Sequence, residues 1–376
     1  MAYFYSKKKG YIMESLKLLK EITTAFGPAG FEDEVVTTAK TFVTGTTFED
    51  STRNLYINLP AEEASKKYYE ARPARTKPRI MIDAHLDEVG MMVQHVKPNG
   101  TIGFLPLAGF VPAALVAQKV SIKNTDGELI RGVVVSKPPH FTKATDKKDL
   151  AIEDLSIDVG STSKEETETL FKIRQGCPIA PSTDFEYNEK TDIMLAKAFD
   201  CRVGVAAAIE VMNWATTNAT PNIEVVGALS AQEEIGLRGA KVTANRVAPD
   251  IAIAFEGTPA DDTVAESYMI QTALKKGPML RHVDNSMITN PRYQKFALDL
   301  AKKLGIPVQD AVRSGGGTNG DAIHLTGYGI PTIVIGIPVR YVHTNHSYAC
   351  FSDYKNAIKL AQEVIQALNE EVIGSF

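Results

Sequence analysis

Four apolar runs in this chain lead into acids or histidines, and the recurrence points to chemistry. Arg79-Ile80-Met81-Ile82 runs into Asp83-Ala84-His85-Leu86-Asp87, and Val225–Leu229 leads to Gln232-Glu233-Glu234. Ile251–Phe255 stops at Glu256, and Thr332–Ile335 leads through Pro338 to Arg340-Tyr341-Val342-His343. A fifth acid, Asp200, follows the run Ile193–Ala196 and opens the helical pattern Val203–Trp214. In open α/β sheets ligands bind beyond the carboxyl ends of the strands, so side chains at several such ends can converge on one point.

Two imidazoles and several carboxylates suit zinc, cobalt or manganese. A structural zinc site would favour thiolates, and an all-oxygen magnesium or calcium site would not need imidazole. Three carboxylates and two neutral histidines can hold two dications, one carboxylate bridging. Two metals about 3.5–4 Å apart polarise a carbonyl and activate water near neutral pH. Asp87 lies two residues from His85, on the same face of a strand, where a carboxylate can fix the imidazole tautomer. Glu233 and Glu234 are adjacent and point different ways, so one can ligate while the other serves as general base. Each residue also has an ordinary explanation: Asp200 could cap the helix after it, and a Glu pair is usually a solvated face. Five such coincidences at strand ends are harder to accept together.

Other candidates are weaker. His95 sits in a half-exposed strand pattern, His140 in a Pro-Pro-His loop, and His282 and His324 lack carboxylate constellations of their own. His346 is close enough to His343 to compete as ligand. Cys201, beside Asp200, is one isolated thiol, more often buried bulk than ligand. Gly315-Gly316-Gly317-Thr318-Asn319-Gly320 lacks the phosphate-loop pattern and is read as a flexible loop bordering the cleft. Of the nearby cations Lys275, Lys276, Arg281 and Arg313, one lining the pocket could bind an acidic side chain.

The elements that position these residues follow from periodicity. Ser15–Phe26 and Phe31–Val43 have helical spacing, with residues 1–12 a short extension; Leu55–Leu59 is a short strand; and Ala61–Lys77 is a solvated loop or insertion. From about Val93 to Tyr187 short β-type runs are broken by turns, as in Val120–Lys123, Asn124–Gly127, Ile130–Val135. Ser163–Phe171 is a small helix in this region, which resembles a small β-barrel inserted into something else. Beyond Asp192 strands alternate with helices at Val203–Trp214, Pro291–Leu304 and Ser352–Val372, the last with Ser352 as N-cap candidate and Asp353 favouring the helix dipole. That alternation predicts an α/β core with a largely parallel sheet.

Composition excludes several classes. With 376 residues the chain is one large or two domains at roughly 150 residues each, and 41 Lys+Arg against 45 Asp+Glu gives no basic excess for nucleic acid. No apolar run approaches the roughly 18 residues of a membrane span, and the N-terminus does not read as a signal peptide. Three cysteines without a Cys-x-x-Cys pair argue against a disulfide framework and for a reducing cytoplasm.

Four motifs carry a resemblance. Asp83-Ala84-His85-Leu86-Asp87-Glu88-Val89-Gly90, Ala198–Gly204, Gln232–Ala240 and Arg340–Thr344 are similar, in order and spacing, to the glutamyl/deblocking aminopeptidases that form tetrahedral particles, from about Met13 onward. The resemblance implies a zinc-peptidase-like catalytic domain (1–92 plus 191–376) and an inserted β-barrel dimerisation domain (93–190). It implies two divalent metals, zinc or cobalt first and manganese next: His85 and Glu256 on one, Glu234 and His343 on the other, Asp200 bridging. Glu233 would be the general base and Asp87 the residue orienting His85. Cys201 replaces the more usual Asp or Asn, Glu256 stands where many relatives place Asp, and Asn319 where Asp is common. The expected activity is removal of N-terminal residues from peptides, with a weak preference for Glu or Asp, by a cytoplasmic homo-oligomer, a dodecamer built from dimers. Two other readings are an endoglucanase-type glycoside hydrolase, since paired acids alone can cleave glycosides, and a non-catalytic assembly module that kept its metal site.

Overall fold

A computed structural model describes residues 2–65, 74–141, 149–218 and 220–376. Its centre is four parallel strands in the order Glu224–Ser230, Arg79–His85, Ile251–Pro259, Thr332–Arg340. Buried on both faces, these strands read as nearly unbroken apolar runs. In the Arg79–His85 strand, Ile80, Ile82 and Ala84 enter the core formed with helices Ala2–Thr24, Phe199–Thr217 and Phe351–Ala367. Met81 enters the opposite core, under helices Arg238–Val247 and Asn319–His324. Alternation by two divides one strand between two layers of helices.

The parallel centre is the expected one, and antiparallel strands extend it on both flanks. Leu55–Ile57 and Thr47–Glu49 add to one side; Ser347–Cys350, Ile193–Ala196 and Glu186–Asn188 add to the other. Parallel register brings Ser230 level with His85, and Glu256 level with Gly336. The motif residues therefore emerge along one edge of the sheet.

Between Met91 and Pro181 the chain leaves the sheet and closes a six-strand barrel. Val93, Ile102, Val120, Ile122, Val134, Ile157 and Ile179 fill it as a separate core. The expected hairpin is present as Lys119–Lys123 paired antiparallel with Leu129–Val135. Asn124 Oδ1 accepts the amides of Asp126 and Glu128, and Gly127 supplies the positive φ of 83° that closes the turn. The small helix runs Lys164–Thr169, its N-terminus capped by Ser163.

Three expectations need correction. The first helix runs Ala2–Thr24, so the supposed extension is helical backbone. The C-terminal helix is two: Phe351–Ala367, then Glu370–Gly374 with Asn369 capping its Val372 amide. Ser352 lies inside the first turn and Cys350 takes the N-cap position without capping; Asp353 is in the first turn as expected and also accepts the Lys275 and Gly277 amides. The third concerns Ala61–Lys77, of which residues 66–73 lie outside the described residues. Ala61–Ala64 is a short helix, and Glu63 is buried, accepting two hydrogen bonds from Arg79 at 2.9 and 2.6 Å. Arg79 is 1% exposed and also reaches Glu224 Oε2 and the Val247 carbonyl, both at 2.8 Å. A segment rich in charge reads as solvated until its partner is known to begin a central strand.

Removing one partner of a buried ion pair leaves the other uncompensated. Glu63→Ala is expected to destabilise the fold by about 3 kcal/mol, read as a lower urea midpoint with unchanged m-value; an unchanged midpoint would show that Glu224 alone holds Arg79.

Candidate metal centre

His85 ends the Arg79–His85 strand, 1% exposed. Its Nδ1 lies 3.1 Å from the Asp87 carbonyl and 3.4 Å from Asp87 Oδ1. Its Nε2 faces the cleft, 3.1 Å from Asp200 Oδ1, 3.4 Å from Glu256 Oε1 and 4.0 Å from Glu233 Oε2. With Nδ1 holding its proton toward Asp87, Nε2 is free to give up its own proton, which it donates to Asp200, and offer a lone pair to a cation. The Asp87 carboxylate also accepts the backbone amides of Glu233 and Glu234, at 2.9 and 3.0 Å.

On the other side stands His343. Its Nδ1 is 2.8 Å from the Gly109 carbonyl, which lies beyond the barrel strand Ile102–Pro106. Its Nε2 is 3.5 Å from Asp200 Oδ2 and 3.4 Å from Glu234 Oε2. Asp200 therefore offers one oxygen to each imidazole. Two donor groups result, His85–Asp200–Cys201–Glu256 and Asp200–Glu234–His343, each with its donor atoms within 4.8 Å of one another. Asp200 belongs to both.

The electrostatics describe a site short of positive charge. Burial, then the charge of Asp200, pushes the Glu256 carboxyl up to about 7 and that of Glu234 up to about 8. Burial also raises Glu233 well above its ordinary range, with His85 opposing. Asp200 goes the other way: burial would raise it, but hydrogen bonds from His343 and His85 hold it well below the usual carboxylate range. Burial pulls His343 down, yet Asp200 and Glu234 outweigh it and lift it to about 9. Glu234 Oε1 is buried with no protein partner among the described residues. Crowded carboxylates, two imidazole nitrogens aimed at a shared carboxylate and an unpaired buried oxygen are a donor set that fits divalent cations.

The cleft is a cavity of about 950 Å³. Asp200, Glu233, Glu234 and Glu256 line one part of it; Arg281, Arg313 and the Ser314–Gly317 loop line another. The glycine loop thus borders the cleft as expected. Of the four cations named from sequence, these two arginines reach it. Asp284 accepts from Arg281 at 2.8 Å and Asp261 from Arg313 at 3.0 Å, and neither acid lines the cavity. Lys275 lines a different groove, beside Arg340 and Tyr348.

The remaining candidates fall away from the centre. His346 is exposed and faces a separate cavity with Lys119 and Asp158, so His343 is the histidine at the site. His282 meets Asp310 at 2.9 Å, and His324 Nδ1 meets the Gly320 carbonyl at 3.0 Å. Cys201 is the exception: it stays in the first donor group, buried, with its thiol donating to the Phe255 carbonyl at 3.2 Å. Asn319 donates to the buried Asp83 at 2.8 Å, a bond an aspartate there could not make unprotonated.

Sequence reasoning missed the supports behind the site. Glu88 is buried between two cations, 2.6 Å from Lys197 Nζ and 3.5 Å from Arg202. Arg202 also donates to the Ile22, Ala25 and Gly27 carbonyls at the end of the first helix, and Lys197 to Ala25. One cluster thereby ties the segments carrying Asp87 and Asp200 to the N-terminal helix. No local spacing announces it, because Glu88 lies over a hundred positions from both of its cations.

An α/β sheet with a barrel between its strands thus carries imidazole–carboxylate groups at its carboxyl edge. The chain belongs to the M42 glutamyl aminopeptidase family, whose model matches residues 68–360. It is 32% identical over 307 residues to the glutamyl aminopeptidase of Lactococcus lactis subsp. cremoris (strain MG1363), covering 81% of this chain and 85% of that one. It is 31% identical over 296 residues to the lysyl aminopeptidase of Pyrococcus furiosus, covering 77% and 82%. Among solved structures, the TET aminopeptidase from the marine sediment archaeon Thaumarchaeota archaeon SCGC AB-539-E09 matches with a TM-score of 0.87 at 32% identity, over 96% of this chain and 99% of that one. The Pyrococcus horikoshii TET1 peptidase, which can assemble into a tetrahedron or a large octahedral shell, matches with a TM-score of 0.81 at 26% identity, over 94% and 100%.

Glu88→Ala is expected to cost about 3–5 kcal/mol of stability, because it strands two buried cations. Chemical denaturation measures this, and a loss below about 1 kcal/mol would show that the helix-end carbonyls suffice.

Proposed function

We propose that the chain removes N-terminal residues, preferentially Glu or Asp, from peptides at a site for two divalent metals, zinc or cobalt before manganese. The carrying observation is Asp200, with one carboxylate oxygen turned to each of two imidazoles whose other nitrogens face carbonyls. His85 and Glu256 would hold one ion, Glu234 and His343 the other, and Asp200 both. Such ions polarise a carbonyl and make water more acidic.

The chain's own groups supply the rest. Glu233 reaches into the cleft without belonging to either donor group. It accepts a proton from the attacking water and delivers it to the departing amine. The carboxylate-lined part of the cavity attracts the substrate's α-ammonium. Arg281 and Arg313 receive an acidic side chain, their guanidinium groups oriented from behind by Asp284 and Asp261. Glu63, Arg79 and Glu224 lie at the opposite end of the parallel strands and take no part.

Family membership sets aside glycoside hydrolysis. A retained Glu233 argues against a silent assembly module. The barrel, taken as residues 93–190, exposes Leu105, Leu129, Val133, Phe141 and Leu170, which supports a role in dimerisation and, through dimers, a dodecamer. Three free buried cysteines support a reducing cytoplasm as its home, and no helix among the described residues is long and apolar enough to cross a membrane.

The test is a panel of Glu-, Asp-, Leu- and Lys-anilides, assayed after EDTA stripping and restoration of zinc or cobalt. Metal-dependent release of Glu or Asp is expected, with Glu233→Gln lowering kcat by about 10²–10⁴-fold at unchanged metal content. Arg313→Ala should lower kcat/KM for Glu about tenfold, and for Leu little, since one charge-assisted bond is worth about 1.5–3 kcal/mol. Preferential release of Lys would overturn the acidic preference, and full activity of Glu233→Gln would overturn the base.

A further inference from the structure

The segment 231–234 carries two of the acids most important to the proposed reaction, and its backbone is held in an unusual way. Four consecutive amides leave the strand Glu224–Ser230, and each donates to a side-chain oxygen from elsewhere in the chain. Ala231 donates to Asn54 Oδ1 at 2.8 Å, and Gln232 to Glu32 Oε1 at 3.1 Å. Glu233 and Glu234 donate to the two oxygens of Asp87 at 2.9 and 3.0 Å. Gln232 sits at the corner with φ of 57°, a left-handed conformation that a residue with a side chain keeps only when its surroundings enforce it.

Glu32 is the member of this cradle farthest in sequence from the segment it holds. It is fully buried and occupies the N-cap position of helix Asp33–Phe42, yet its side chain does not cap that helix. The carboxylate turns away from it and accepts from Gly30 at 2.8 Å and from Gln232. Its second oxygen is buried without a partner among the described residues. Burial, then the charge of Asp87, pushes the carboxyl up to about 7. A buried acid with one oxygen unpaired is kept at a cost, and what it delivers is an acceptor aimed at the Gln232 amide. Glu32 also precedes residues 68–360, the span matched by the family model.

We propose that Glu32 is a positioning residue for Glu233: it locks the Gln232 corner and so fixes the direction in which the next side chain enters the cleft. The proposal rests on the reading of Glu233 as general base. Without the Glu32 acceptor the corner would relax toward ordinary φ, and Glu233 would lose its alignment with the attacking water. The ion-binding side chains of the other strands would stay where they are, and Glu234, farther from the corner with its amide on Asp87 Oδ2, would keep its place. The effect should therefore fall on turnover rather than on substrate binding or metal content.

The experiment compares Glu32→Ala and Glu32→Gln with the unmodified full-length protein by amide hydrogen exchange, metal analysis and steady-state kinetics on Glu-anilide. Glu32→Ala is expected to accelerate exchange about tenfold in the peptide covering residues 230–238 and at the Gly30 amide that the same carboxylate holds, with the rest of the chain unchanged. It should lower kcat about 10²-fold, with KM within a factor of about two and metal content intact. Glu32→Gln, which keeps an acceptor oxygen at the same reach, should restore both readouts. Unchanged exchange at 230–238, acceleration spread over the whole molecule, an unchanged kcat, or a Gln variant as defective as Ala would each overturn the proposal. If the unmodified protein releases no residue from any anilide, the general-base reading fails, and the exchange data alone decide whether Glu32 holds the corner.

Discussion

Carboxylates crowded into a buried pocket repel one another, and much of this structure serves to hold four of them together. Asp200, Glu233, Glu234 and Glu256 converge on two imidazoles, in surroundings where each unpaired charge is costly. The imbalance shows in opposite directions within one cluster: Asp200, hydrogen-bonded by both histidines, stays ionised, whereas burial drives Glu234 and Glu256 toward their protonated forms. Divalent cations would relieve the repulsion and use the same oxygens as ligands. The site is therefore strained by charge, and it needs a rigid frame.

The parallel sheet supplies that frame. Strands packed on both faces fix where their carboxyl-end residues emerge: His85 is the last of Arg79–His85, and Glu256 lies in the second half of Ile251–Pro259. The loops that follow are held by hydrogen bonds from distant segments. Asp87 grips the amides of Glu233 and Glu234, and the carbonyl of Gly109, close to the barrel, faces His343. Glu88, Lys197 and Arg202 anchor two of the motif segments to the first helix. The same logic operates at the far end of the strands, where Arg79 gathers Glu63 and Glu224. Both ends of the sheet thus bury charge, but at the far end the acids meet a guanidinium directly, whereas the four acids of the cleft face two imidazoles.

Strand ends are legible in the sequence because apolar runs terminate visibly and because period-two alternation places acids with histidines. His85, Asp200, Glu233, Glu234, Glu256 and His343 come together for that reason. What is illegible depends on partners remote in sequence. Glu63 reads as solvated because its partner, Arg79, reads only as the start of a strand. Asp353 reads as a dipole-favouring residue, but it also binds the Lys275–Gly277 turn. Glu32 and Asn54 carry no motif, and their bonds to Gln232 and Ala231 span 200 and 177 positions. The break at Leu368 is hidden because apolar spacing continues through it, while the Asn369 cap that starts a new helix is a single-residue signal.

The central claim is that Asp200 is shared between two metal ions. Anomalous diffraction from crystals of the zinc-loaded protein, collected on both sides of the zinc edge, tests it most directly. The account predicts two peaks about 3.5–4 Å apart, one beside His85 and Glu256 and one beside Glu234 and His343, with Asp200 between them. A single peak, or two peaks not joined by Asp200, would contradict it.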